Sequence, residues 1–334
     1  MNTKDFSEIN ITISVKEQDF LTQETFHKLL QAESMNTIAS LLAGSVYDLQ
    51  MSDLECLETT ENKLRTALIR EYRWAFEESP DRDLVSIFAL FYVYHNLKIL
   101  LKAKMLGQDL SPLLIPIGSE GQDELAHLVQ TLHSDVLESD IVEEIGTIWS
   151  MYLTYQNSYI LEVGVDLAYF KHLKKLSLKL PRLFQEIVVI LIDFYNIISV
   201  KRAFNQGKTS NAIYQILSDE GSLPARSIIK MIENDELINW FQQLNSYIDE
   251  ELLFFEDKIR QSTISIVELE YLSDMFIAKY LENQIEELDG PIPLARYLLR
   301  REFEVKNLRL IISSHHNHID IDRVAERMRP MYGR

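Results

Sequence analysis

Two pairs of residues in the sequence have the spacing of metal ligands in di-iron helical bundles. Glu24 with His27 and Glu124 with His127 are both Glu-x-x-His pairs, and such bundles combine two pairs with a further glutamate from each of two other helices. Too few residues precede Glu24 to form a bundle helix that could carry a partner carboxylate. We therefore expect no bound metal here, while a metal-dependent helical enzyme stays as an alternative.

A second stretch, NQGKTSN, resembles the end of a phosphate-binding loop at Gly207, Lys208 and Thr209. A P-loop needs another glycine five positions earlier, following a strand, so that successive amides can wrap the phosphates. That position is Arg202, within a predicted helix. We interpret Gly207 as the left-handed cap that ends this helix.

The stretch HHNHIDID brings together His315, His316, His318, Asp320 and Asp322. Their nitrogen and oxygen donors could bind a divalent transition metal. The stretch falls where a long helix is predicted to end, however, and histidines are favoured there by the helix dipole. A solvated helix end is the preferred interpretation.

The remaining sequence shows no catalytic signature. It contains no Gly-x-Ser-x-Gly elbow, and Cys56 has no flanking signature of a nucleophile. A single cysteine cannot form an internal disulfide, which is typical of a reducing compartment. We therefore predict neither catalytic residues nor a cofactor, and a protein that is not an enzyme.

One phrase of the sequence occurs three times. Asn96, Asn196 and Asn307 each have an apolar residue two positions before them, and others one and four positions after. These offsets trace one stripe of a helix with a period near 3.6. The repeated asparagines are interpreted as hydrogen-bonded packing residues, with exposure to a partner as the alternative.

The boundaries of these helices repeat as well. Each asparagine is preceded 14 to 16 residues earlier by a proline, at Pro80, Pro181 and Pro293, where the first helical turn tolerates it. Gly107 and Gly207 follow the first two asparagines by eleven residues and are predicted to cap their helices. His318 takes this place in the third copy, so that ending is expected to differ.

Further landmarks recur in phase with these helices. Tyrosines at 72, 169 and 280 lie 24 to 27 residues before the asparagines, and Gly118-Ser119 is matched by Gly221-Ser222. Apolar residues recur at helical spacing almost everywhere, which predicts an all-α protein. We predict three helical repeats, over residues 1–112, 113–220 and 221–334, that stack or close on one another.

The composition limits the kind of partner. The formal net charge is −18, which argues against nucleic acid or anionic lipid because both bind positive surfaces. The uncharged stretch from Leu84 to Leu97 is shorter than the roughly 20 apolar residues that span a bilayer. Membrane contact is therefore expected only through a partner.

Two basic runs interrupt this acidic background. One contains Lys171, Lys174 and Lys175, and the other contains Arg296, Arg300, Arg301 and Arg309. Either run could be a solvated face paired with nearby acids. The alternative is an interface with an acidic partner, and we name these seven residues as its candidates.

The third repeat carries a resemblance to a known family. Its sequence GPIPLARYLLRREFEVKNLRLI, residues 290–311, resembles the C subunits of the archaeal and bacterial V-type (A-type) ATPases, whose eukaryotic counterpart is the d subunit of the V-ATPase. The similarity extends to NLKILLKA, NIISVKRA and the terminal ERMRPMYG, whereas the N-terminal ITISVKEQDF departs from the family's pattern.

The resemblance implies a fold and a role. It implies a funnel of three pseudo-threefold related helical domains, and a non-catalytic rotor component on the cytoplasmic face of a membrane. Such a component would contact the proteolipid ring and the central shaft, and would couple ATP hydrolysis or synthesis to ion transport. A helical repeat scaffold in another assembly is the alternative that keeps the repeat.

Overall fold

The computed structural model of the chain describes residues 5–244, 250–283 and 290–331. All regular elements within these ranges are helical, which confirms the predicted all-α class. Tyr332 and Gly333 of the terminal sequence, cited for its resemblance, lie outside the described residues.

The α-helices of the first half are α1 (Ser7–Lys16), α2 (Gln23–Leu30), α3 (Met35–Leu42), α4 (Met51–Leu54), α5 (Leu57–Glu78), α6 (Arg82–Leu106), α7 (Gln122–Thr131) and α8 (Ser139–Tyr155). Those that follow are α9 (Ser158–Ser177), α10 (Arg182–Asn205), α11 (Ser210–Tyr214), α12 (Ala225–Glu233), α13 (Leu237–Gln243), α14 (Glu250–Arg260), α15 (Ile266–Glu282), α16 (Ile292–Asn317) and α17 (Ile321–Ala325).

These helices form two compact units. Unit 1 combines residues Met1–Val85 with Tyr271–Arg334, so it contains both ends of the sequence, and unit 2 is the continuous stretch Ser86–Glu270. The division into three repeats of about a hundred residues stays a prediction.

Unit 2 is built on long helices that lie side by side. Helix α9 packs against both α8 and α10, and α10 also packs against α12. The α8–α9 pair is close because Gly164 faces Ile148: a Cβ at Gly164 would lie 2.9 Å from the Cγ1 atom of Ile148. A side chain at this glycine would therefore push the two helices apart.

Unit 1 is built around α16. This helix packs against α5 and α1, and the short α17 that follows it packs against both α16 and α2. The buried face of α16 includes Tyr297, Leu298, Val305, Leu308 and Ile311. Helices from the first eighty residues thus cover the helix near the end of the sequence.

Helices α6, α10 and α16 end in the same way. Gly107, Gly207 and His318 all have positive φ, at 65°, 69° and 52°. In each case the next amide donates to the carbonyl five positions back, from Gln108 to Ala103 at 3.2 Å, from Lys208 to Ala203 at 3.0 Å and from Ile319 to Ser314 at 2.9 Å. This is the Schellman motif. The expectation that the third ending differs was wrong, because a histidine can adopt the left-handed conformation at a modest energetic cost.

Two of these helices, α6 and α10, are long and apolar enough to cross a membrane by length and composition. From the sequence, stretches without any charge were expected to be too short to span a bilayer. A stretch that contains a few charged residues can be longer, and both helices then qualify. In both helices 61% of this stretch is buried inside the protein. Core helices of soluble proteins need the same composition, so packing accounts for it.

Candidate functional site: asparagine clamps and basic runs

The three repeated asparagines make the same pair of hydrogen bonds. In each, the side-chain nitrogen donates to a backbone carbonyl, and the side-chain oxygen accepts from the amide of that same residue. We call this arrangement the asparagine clamp. The pairs are Asn96 with Ile115 (2.7 and 2.8 Å), Asn196 with Ser218 (2.8 and 2.9 Å) and Asn307 with Arg329 (2.9 and 2.7 Å).

The clamp holds the segment that follows each long helix. A carboxamide pairs with a peptide group as another peptide would, so both of its polar atoms are satisfied away from water. The partner lies 19 residues beyond Asn96 and 22 beyond Asn196 and Asn307. All three side chains are buried, and they bond to segments of their own unit.

Two lysines of the basic run on α9 pair with acids from α8 and the residue before it. Lys171 binds Glu144, while the Nζ atom of Lys175 lies 3.1 Å from Glu138 and 2.5 Å from Asp140. The hydrogen bonds that Lys175 donates to Asp140 and Glu138 raise its pKa. These pairs are exposed and contribute little to stability.

Lys174 of the same run lines a cavity of about 220 Å³, together with Lys171, Lys175 and His172. The Nδ1 atom of His172 lies 3.4 Å from the hydroxyl of Tyr94. Burial lowers the pKa of His172, so the imidazole is neutral at pH 7. The cavity wall therefore carries lysine charges balanced by acids and a neutral histidine.

The basic run on α16 is divided between surface and interior. Arg300 lies 2.9 Å from Glu17, and Arg309 makes two bonds to Glu61, at 2.6 and 2.7 Å. Arg296 is half-buried, and its pKa is lowered by burial and then by the charge of Arg300. Arg301 is only 1% exposed, so its side chain faces the interior of unit 1.

Arg301 lies in a buried polar group that we call the Arg301 cluster. Its guanidinium binds the carboxylate of Glu304 and lies 4.1 Å from the ring centroid of Phe20. One oxygen of Glu304 accepts from the amide of Leu21, and the other, which binds Arg301, also accepts from the hydroxyl of Tyr47; both bonds are 2.6 Å long. Burial lowers the pKa of Arg301, but interactions with Glu304, Tyr47 and Tyr297 together outweigh it, and the net shift is upward.

A second ion pair lies beside this cluster. The hydroxyl of Tyr297 donates to Glu71 at 2.6 Å, and Lys16 lies 2.9 Å from the same carboxylate. Burial would raise the pKa of Glu71, but these hydrogen bonds outweigh it, so the pKa is lowered. Together the two ion pairs tie α1, α5 and the Leu21 segment to α16.

The other candidate motifs have ordinary surroundings. The Glu24 carboxylate pairs with Lys28 at 2.6 Å, both side chains being exposed, and Gly207 is the helix cap described above. The ring nitrogens of His315 and His316 lie 3.2 and 2.6 Å from the carbonyls of Leu29 and Leu54. Within the described part of the chain, no group of three or more His, Cys, Asp or Glu side chains could hold a metal ion.

The sequence interpretation missed the acids that lie three residues before the clamp asparagines. Glu304 is one of them, and Asp193 on α10 is the other. Asp193 accepts from the amide and hydroxyl of Ser222, and burial raises its pKa. Aligning the repeats would have revealed both, because the same position in the first copy is the apolar and buried Val93.

Comparison with known proteins places this architecture in a family. Residues 9–327 match the family described as ATP synthase (C/AC39) subunit. The chain is 28% identical to the C subunit of the V-type sodium ATPase of Enterococcus hirae, over 98% of this chain and 99% of that protein.

More distant relatives carry related names. The chain is 24% identical to the C subunit of the A-type ATP synthase of Desulfurococcus sp., over 96% of this chain and 90% of the relative. It is 23% identical to its counterpart in the A-type ATP synthase of Thermococcus kodakarensis, over 92% and 86%. Since the family match covers nearly all of its length, the chain belongs to the ATP synthase (C/AC39) subunit family.

Proposed function

We propose that this protein is the C subunit of a V-type or A-type rotary ATPase, a non-catalytic rotor component that couples the central shaft to the membrane proteolipid ring. The observation that carries the proposal is the family match over residues 9–327, joined to relatives of nearly equal length that are named as C subunits. The coupling would serve ATP-driven ion transport or ATP synthesis.

The repeated clamp supports a threefold construction. The same asparagine, the same left-handed cap and the same pair of hydrogen bonds occur on α6, α10 and α16. An adapter that transmits torque needs a stiff frame, and buried, fully bonded polar groups favour stiffness. We propose that the repeats are related by a pseudo-threefold axis and close into a funnel.

The location follows from the same proposal. The protein would lie at the cytoplasmic face of the membrane as a peripheral component, and would meet the membrane only through the ring. Burial of α6 and α10 within the protein is consistent with this location, because their apolar surfaces are already in use.

A tagged pull-down from detergent-solubilised membranes of the source cells tests the proposal. We expect the proteolipid ring and the shaft proteins to be recovered together, with ATPase activity that depends on the other components. Recovery of neither, from membranes shown to contain the ATPase, would contradict the proposal and favour a helical scaffold of another assembly.

The basic runs are the proposed interface with acidic surfaces of these partners. Arg301 is left out because it is buried; Lys171, Lys174, Lys175, Arg296, Arg300 and Arg309 remain. Lys174→Glu should weaken recovery of a partner, since it reverses a charge at the cavity. Arg182→Glu is the matched control, because Arg182 is exposed and lies outside the proposed set.

A further inference from the structure

The turn between α8 and α9 exposes a group of large apolar side chains. We call residues 150–159 the α8–α9 tip. Its exposed side chains are Met151 (46%), Leu153 (53%), Tyr155 (68%) and Tyr159 (43%). Single exposed apolar residues are common on protein surfaces, but a group of them marks an interaction site. Tyrosine and methionine are also enriched at protein interfaces.

The sequence of the tip is also free of charge. The stretch from Glu144 to Glu162 contains no charged residue between these two, in a chain of which 25% is charged. An anionic lipid surface would be bound through a set of lysine or arginine side chains. The tip has none of its own, and Lys208, whose Nζ atom lies 4.8 Å from the ring centroid of Tyr159, is a single cation. A protein surface that is itself apolar and uncharged is the complementary partner.

Side-chain hydrogen bonds hold the backbone of the tip on both sides of the turn. Gln156 reverses the chain with φ of 51°, and its side chain donates to the carbonyl of Leu153 at 2.9 Å. Asn157 begins α9 by accepting from the amide of Tyr159 at 3.0 Å. Less conformational entropy is lost when a pre-organised surface binds, so these bonds favour affinity.

The corresponding turns of the other repeats differ in character. The tyrosines at 72, 169 and 280 align this tip with the start of α5 and with the turn between α14 and α15. The first of these two regions carries Asp53, Glu55 and Glu58, and the second is bounded by Arg260 and Glu268. From 259 to 266, the large apolar side chains are buried or half-buried. In the first region one large apolar side chain is exposed, Leu57 at 39%, so a group of such side chains is found only at the second of these three turns.

We infer that the α8–α9 tip docks one single-copy protein partner, through an uncharged apolar surface of that partner. This inference rests on the proposed function, within which the partner is the central shaft. A ring of identical proteins presents the same chemistry to all three repeats and would select three similar tips. A single shaft engages the repeats unequally, which fits a group of exposed apolar side chains at one of the three turns.

The test is a binding experiment with the full-length chain. Leu153→Asp combined with Tyr155→Asp introduces two charges at the most exposed positions, and Gln261→Asp combined with Thr263→Asp is the matched control in the α14–α15 turn. Affinity for the purified shaft proteins and for the detergent-solubilised ring is measured separately. We expect the tip variant to bind the shaft at least tenfold more weakly and the ring unchanged, with the control unaffected for both.

Three results would overturn the inference: unchanged shaft binding by the tip variant, loss of ring binding alone, or a dimer of the wild-type chain that the tip variant abolishes. A wild-type chain that binds neither shaft nor ring would instead overturn the proposed function itself. Thermal unfolding followed by circular dichroism checks folding of each variant. If the aspartates disturb it, Met151→Ser with Tyr155→Ser repeats the test without added charge.

Discussion

Helices α10 and α16 share a register but obtain their neighbours from different parts of the sequence. Three residues before its clamp asparagine, α10 carries Asp193, which is bonded to Ser222, 29 residues further on. The same position on α16 is Glu304, whose partners Leu21 and Tyr47 lie 283 and 257 residues away. One helix is completed by the segment that follows it, and the other by the beginning of the chain.

The short helices around them show the same division. Buried residues of α7 are Leu125, Leu128 and Val129, and those of α2 are Phe26, Leu29 and Leu30, with identical spacing. In unit 1, α2 packs against α17, which itself packs against α16. We infer that α2 supplies the surface that a following helix supplies in unit 2. Unit 1 therefore depends on both ends of the chain.

The buried acid on α16, Glu304, is paired with the cation Arg301. Breaking this pair should have the largest effect on stability. Arg301→Met should destabilise the protein by about 3–5 kcal/mol, because the buried carboxylate of Glu304 loses its cation. Chemical denaturation measures this cost. Amide hydrogen exchange should show the loss of protection within unit 1, on α2 and α16.

The double variant Arg301→Met with Glu304→Leu is the control for this prediction. Replacing both charges by apolar groups avoids an unpaired buried charge and should restore part of the lost stability. The rest is not recovered, because the amide of Leu21 and the hydroxyl of Tyr47 lose their acceptor. If the single variant were as stable as the wild type, the Arg301 cluster would not hold the two ends of the chain together.

The clamps provide the next comparison. Asn196→Ala should cost about 2–3 kcal/mol, because it leaves the amide and carbonyl of Ser218 without their partners in the interior. Asn307→Ala should cost less, about 1–2 kcal/mol, since Arg329 is half-buried and water can replace the side chain. Denaturant unfolding measures both losses. Equal decreases in the free energy of unfolding would show that the two clamps are equally shielded from water.

How far the sequence predicts this arrangement depends on the residue. The apolar stripe of α16 is predictable from the helical period of its sequence, which is a local property. Its proline and asparagine are recognisable because they recur in the other repeats. Arg301 was placed on the surface with the other basic residues, since charges are usually exposed. Arg301 lies six residues before Asn307. The residues at the same distance before Asn96 and Asn196 are Leu90 and Ile190, which are both buried. Comparing the repeats would therefore have indicated that Arg301 is buried.

The segments that the clamps hold were not predictable in the same way. Ile115, Ser218 and Arg329 lie in irregular chain, where no periodicity indicates which backbone group faces a helix. The contribution of Leu21 and Tyr47 to α16 is a contact across more than 250 residues. Such pairings depend on tertiary packing, and a single sequence does not display them.

Asp193 should make the stability of unit 2 depend on pH. Burial raises the pKa of Asp193 above its unfolded value, so the folded protein binds this proton more tightly. Its contribution to stability is most favourable when the carboxyl is protonated, and weakens as pH rises from the unfolded pKa, about 3.9, through the folded one. Asp193→Asn removes this dependence.

The measurement is the free energy of unfolding between pH 4 and pH 7 for the wild type and Asp193→Asn. The wild type should gain stability relative to the variant as the pH falls. A constant difference across this range would mean that the hydrogen bonds from Ser222 keep the carboxylate ionised in spite of its burial.

The helix endings give the smallest expected effect, and one of opposite sign in the two helices. His318→Gly should stabilise the protein by about 0.5–1 kcal/mol, because glycine adopts the left-handed conformation at φ 52° without the cost that a Cβ imposes. Gly207→Ala should destabilise it by a similar amount, and purely through conformation, since a Cβ there meets nothing within 4 Å. Thermal unfolding of both variants checks the pair. A loss of stability in His318→Gly would show that the imidazole makes a contact worth more than the strain of its backbone, and that the third ending carries a role that the glycine endings of α6 and α10 lack.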